Sequence, residues 1–73
     1  TGFAGGTSGR WLVLINVGAF TIRLMNQDAN SAAGNRMILA GGASQTMTPD
    51  DVIYLWYDGV TARWRQMTAL LVV

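Results

Sequence analysis

The stretch that most narrows what this chain can become is VIYLWYDGVTARWR, residues 52–65. Aromatic and β-branched residues fill its first half, which suits extended backbone. Asp58-Gly59 then supplies a turn signal, and Arg63-Trp64-Arg65 brings the chain back, so the pattern predicts a β-hairpin. In the outgoing strand Val52, Tyr54 and Trp56 share one face, and Ile53, Leu55 and Tyr57 share the other. Both faces are apolar, so both need cover. A chain of 73 residues builds one small core, and that core covers one face. The other face is expected to meet a second copy of the chain.

Composition sharpens this expectation. A chain of about 60 residues buries only roughly 60% of the surface it exposes when unfolded. Disulfides, metals or self-association usually supply the missing stability. Cysteine and histidine are both absent, which removes disulfides, thiolate nucleophiles, the commonest metal ligand and the usual general base. The residues are 51% hydrophobic and only 12% charged, and neither Lys nor Glu occurs. Surfaces that become buried between subunits favour Arg, Trp, Tyr and Met over Lys and Glu. A net charge of +1 makes no electrostatic case for nucleic acid. No apolar run reaches the ~20 residues of a membrane-spanning helix. The expected partner is therefore the chain itself, with no nucleic acid and no membrane insertion. No metal or other cofactor is expected.

Residues 1–10, TGFAGGTSGR, read as a Gly-rich lead or linker, with a floppy terminus and a shaped loop as the two alternatives. Residues 11–73 read as a single β-domain. The run at 11–16 is short and rich in strand formers, and the Asn16-Val17-Gly18-Ala19 stretch offers a turn. Residues 20–25 alternate, with Phe20, Ile22 and Leu24 expected inward. The two runs together predict a second hairpin. Residues 26–36 form the longest polar interruption, and short strands are expected near 37–40, 43–48 and 67–73. The sum is an all-β fold, a small antiparallel β-sandwich or barrel of six to seven short strands, assembled as a homo-oligomer.

Catalysis finds little support. The adjacent carboxyls of Asp50 and Asp51 point opposite ways in an extended chain and would not pair as acid and base. Asp58 sits where a turn before Gly59 wants Asp. Ser8, Ser31 and Ser44 lack a histidine or lysine to activate them, so no catalytic residues are expected. The polar loop is the open candidate. Asn26, Gln27, Asp28, Asn30, Asn35 and Arg36 place amide and charged groups close together, suited to hydrogen-bonding a ligand such as a sugar. The competing reading has these amides satisfying their own loop's backbone. One carboxylate is too few for a calcium loop. For the oligomer interface the candidates are Trp11, Val13, Ile53, Leu55, Tyr57, Arg63 and Arg65, with Ile15 alongside.

The phrases LVLINVGAFTIRLMNQDANSAAGNRM and GGASQTMTPDDVIYLWYDGVTARWR, in this order, give the pattern Asn16-Val17-Gly18, Asn26-Gln27-Asp28, Ser31-Ala32-Ala33, Asn35-Arg36, Gly41-Gly42, Tyr57-Asp58-Gly59 and Arg63-Trp64-Arg65. This pattern resembles a recurrent β-domain near the C-terminal ends of tail-fibre and related virion proteins of tailed bacteriophages. The resemblance runs from Arg10 to Arg65 and leaves residues 67–73 outside. It implies a homotrimeric module on the virion, in its tail, touching other virion proteins, with a host-surface glycan as a further partner. Its role would be structural, or host attachment at a fibre tip, and not enzymatic. A capsid decoration or cement protein is the alternative it leaves, and a carbohydrate-binding module of a larger protein is a third.

Overall fold

The computed structural model describes residues 2–68 and 70–72. These residues form seven strands and two short 3-10 turns, with no long helix. The strands are β1 (Trp11–Ile15), β2 (Ile22–Leu24), β3 (Met37–Ile38), β4 (Gln45–Met47), β5 (Asp51–Asp58), β6 (Arg63–Gln66) and β7 (Leu71–Val72). The all-β expectation is met. The sheets are open, and no barrel closes.

The organising hairpin is present, as β5 and β6. β5 is the longest strand and the centre of a five-stranded sheet in the order β1-β5-β6-β3. One edge of β5 pairs with β1, and the other pairs first with β6 and then with β7. Asp58 pairs with Arg63, so the loop contains the four residues 59–62, and not a two-residue Asp-Gly turn. The left-handed position in this loop is held by Ala62, at φ 54°, rather than by Gly59. One pair departs from the antiparallel expectation, since β3 runs parallel to β6.

The second expected hairpin does not form. β1 pairs with β5 over its whole length, whereas β2 pairs with β4 in a separate two-stranded sheet. The cause lies at Asn16, where the chain leaves the main sheet. Its N–H donates to Asp51 O (3.0 Å) and its carbonyl accepts from Asp50 N (2.8 Å), which extends the β1–β5 pairing by one step. The loop after Asn16 then carries the chain to the other layer. Of the three residues expected inward, only Leu24 is buried, while Phe20 is 85% exposed and Ile22 lies outside the core.

The core sits between the inner face of the large sheet and the small sheet. Ile53, Leu55, Tyr57 and Trp64 come from β5 and β6, Met37 and Leu39 from the β3 region, and Leu24 and Met47 from β2 and β4. Leu12 and Leu14 pack against them from β1. Alternation along β5 delivers this arrangement, because the odd-numbered side chains turn inward.

Of the two readings of the Gly-rich lead, the structure shows the shaped loop. Phe3 N donates to Asn35 O (2.9 Å), and Gly9 N donates to Tyr57 O (2.9 Å). Gly6 lies so close to the Tyr57 ring that a Cβ there would stand 2.0 Å from a ring carbon. Only glycine permits that approach. Part of the expected C-terminal strand is present as β7, which pairs with Asp51 and Val52. Ala69 and Val73 lie outside the described residues.

Candidate functional site

The residues of the polar loop are held mainly by their own surroundings. Asn26 Oδ1 accepts from Leu39 N (2.7 Å), its Nδ2 donates to Gly42 O (3.1 Å), and its backbone N–H donates to Ser44 Oγ (3.0 Å). Asp28 Oδ1 accepts from Asn30 N (2.9 Å), closing an Asx turn. Arg36 Nε donates to Ser31 O (3.1 Å), and the Asn35 backbone belongs to the 3-10 turn Ala33–Asn35. The Asn26 amide thus satisfies backbone beyond the loop, at Leu39 and Gly42, while the Arg36 guanidinium satisfies the loop's own Ser31. Asn30 remains exposed at the loop surface, with its side-chain amide unengaged among the described residues.

Gln27 does something the sequence does not announce. Its Oε1 accepts from Arg63 Nε at 2.8 Å, which ties the polar loop to the β5–β6 hairpin. Asp58 lies in the same hairpin. Its Oδ1 accepts from Val60 N (2.9 Å), and its Oδ2 accepts from Thr61 Oγ1 (3.0 Å) and Arg65 Nε (2.8 Å). Gln27, Asp58, Arg63 and Arg65 therefore belong to one polar hydrogen-bonded region. This brings the loop and the hairpin end of the candidate surface together.

The Val60 N–H, and then the Arg65 guanidinium, hold the Asp58 carboxyl below the usual carboxylate range. A depressed folded-state value contributes stability above the unfolded value of ~3.9, and that contribution is lost as pH falls through the folded value. Asp58→Asn is therefore expected to be less stable than the parent at neutral pH and to approach it on acidification. Urea midpoints measured across the acid range check this. A gap that stays constant with pH would remove the ionised carboxylate as the cause.

Asp51 is buried, and its Oδ2 accepts from both Thr48 N (2.9 Å) and Thr48 Oγ1 (3.0 Å), capping the turn through Pro49. Among the described residues no group of three acidic side chains is placed to hold a metal ion.

The interface residues divide. Ile53, Leu55 and Tyr57 are buried in the chain's own core, so they cannot form an interface between folded copies. The β1–β5 register instead pairs Trp11 with Trp56, Val13 with Tyr54 and Ile15 with Val52. These side chains project from the outer face of the sheet. Trp11 is 58% exposed, Val13 47%, Ile15 50% and Tyr54 38%, while Val52 is buried. Arg65 pairs with Trp56, and Arg63 with Asp58, so both arginines border the same face. Trp11, Val13, Arg63 and Arg65 therefore stay as candidates, and Tyr54 and Trp56 replace the three buried residues. Alternation alone identified two faces of β5; which one turns outward depends on where β2 and β4 pack. A comparison with protein-family models, curated proteins and solved structures finds no match for the chain.

Proposed function

We propose that the chain is a structural module of a bacteriophage virion, a homotrimeric tail-fibre or receptor-binding domain that works through non-covalent contacts. The observation that carries the assembly part is the outer face of the large sheet. Trp11, Val13, Ile15 and Tyr54 leave an exposed apolar strip there, with Trp56 paired to Trp11 at its end. Aromatic and branched side chains clustered and exposed on one sheet face are what an interaction surface presents. Arg63 and Arg65 supply the polar border that interfaces favour. The resemblance to tail-fibre sequences supplies the threefold number and the virion setting. The polar region around Gln27 and Arg63, with Asn30 nearby in sequence, supports host-glycan contact at the hairpin end. Several copies in one fibre would offset weak single sites.

Sedimentation velocity with light scattering tests the assembly. The expected mass is that of three chains. Val13→Arg places a charge in the apolar strip and leaves the inner core untouched, so it should give monomers with unchanged strand circular dichroism. A compact wild-type monomer at high micromolar concentration would overturn the assembly. Adsorption of the wild-type oligomer to host cells, compared with Arg63→Ala, tests the attachment role, and equal adsorption would take the hairpin end out of it.

A further inference from the structure

A cavity of about 260 Å³ opens between the two sheets. Leu24, Met37 and Met47 form its buried side, and the half-exposed Ile15 and Ile22 stand at its open side. Arg23 is the one charged residue that lines it. Arg23 also differs from the other arginines. Arg10 donates to Gly5 O, Arg36 to Ser31 O, Arg63 to Gln27 Oε1 and Arg65 to Asp58 Oδ2. No hydrogen bond or ion pair engages the Arg23 side chain among the described residues.

We propose that this cavity binds the alkyl chain of a small fatty carboxylate, with Arg23 holding the carboxylate head. Ligand pockets for drug-sized molecules run from ~300 Å³ upward, so this one suits a smaller, flexible chain. The wall chemistry is hydrocarbon and thioether, and methionine adapts its shape to an irregular apolar guest. An arginine stem can line apolar wall while its guanidinium reaches water, and the guanidinium takes a carboxylate through two parallel hydrogen bonds. A cationic head would be repelled at the same place. The inference does not rest on the assembly reading: the cavity lies between the chain's own two sheets, shares only Ile15 with the exposed strip, and takes nothing from Trp11, Val13 or Tyr54.

The methionines supply the test. Met37 and Met47 line the cavity, whereas Met25 and Met67 lie outside it and are exposed. Methyl NMR of the ¹³C-methionine-labelled full chain, titrated with octanoate, should shift Met37 and Met47 saturably and leave Met25 and Met67 in place. Hexanoate, shorter by two methylenes, should bind roughly fifteenfold more weakly, at ~0.8 kcal/mol for each methylene. Octylamine should bind more weakly than octanoate. Arg23→Gln, at an exposed strand position, should weaken octanoate about fivefold while the apo spectrum stays folded. Ile22→Trp, which fills the open side, should abolish the shifts. Movement of all four methyls together, octylamine matching octanoate, or unchanged affinity in Arg23→Gln would each overturn the proposal.

Discussion

Asn16→Ala should destabilise the fold by about 3 kcal/mol, read as a lowered urea midpoint with an unchanged slope. Asn16 is only 2% exposed, yet it is polar. Its Nδ2 donates to Phe20 O (2.8 Å) and Met47 O (3.1 Å), and its Oδ1 accepts from Gly18 N (3.1 Å). One side chain thereby holds the loop that leaves β1 and joins it to the end of β4. Truncation removes three hydrogen bonds and leaves the Met47 carbonyl buried without that donor, which costs more than the net worth of an ordinary bond. Two further variants separate the causes. Asn16→Leu keeps most of the volume but none of the hydrogen bonds, and should fare no better than Ala. Asn16→Asp keeps the acceptor for Gly18 and turns a carboxylate toward two carbonyls. It should lose stability as pH rises and the introduced carboxyl ionises. A change in Asn16→Ala below about 0.5 kcal/mol, the scale of an ordinary surface substitution, would mean the loop is held elsewhere.

How much of this could be read from the residues depends on the range of the interaction. The β5–β6 hairpin was legible because its signals are local: period-2 alternation, a turn residue and a returning strand. The β1–β2 hairpin was a reasonable local inference that a non-local pairing displaced. β1 takes β5 as its partner and buries Leu12 and Leu14 against the core, and no local signal in residues 11–25 competes with that. Asn16 looked like turn chemistry, and so it is. What the chain could not announce is that its amide reaches Met47, 31 positions away. Asn26 repeats the theme, since it satisfies Leu39 and Gly42 where no strand partner would. The pair formed by Gln45 and Gln66, at 2.7 and 3.2 Å, has no local signature at all. The same limit explains the interface residues. Alternation defined both faces of β5, but the choice between them belongs to the second sheet. The Arg23 cavity is beyond sequence reading for a similar reason: its walls come from four strands that are scattered along the chain.

Trp64→Ala should be the most damaging single core change, at about 4 kcal/mol, the scale of removing a buried large aromatic. Trp64 is 1% exposed and meets Tyr57 edge-to-face, with ring centroids 5.1 Å apart and planes at 80°. Edge-to-face packing adds to the area term, because the positive ring edge meets the negative face. Its indole N–H donates to Phe3 O at 2.9 Å, and the Tyr57 hydroxyl donates to Gly34 O at 3.0 Å. These two aromatics therefore fasten both the N-terminal lead and the end of the polar loop to the hairpin. Trp64→Phe separates the roles. It keeps most of the apolar volume but deletes the N–H, so global stability should fall by only about 1–2 kcal/mol. The lead should loosen more than the core, seen as faster amide exchange at Phe3 and Gly9, whose N–H groups bond Asn35 and Tyr57. Removal of residues 1–8 would uncover the Tyr57 and Trp64 rings and should cost at least as much as Trp64→Phe. If Trp64→Phe leaves exchange at Phe3 and Gly9 unchanged, the indole is only core filling, and the lead is held by its backbone bonds and by the fit of Gly6 on Tyr57.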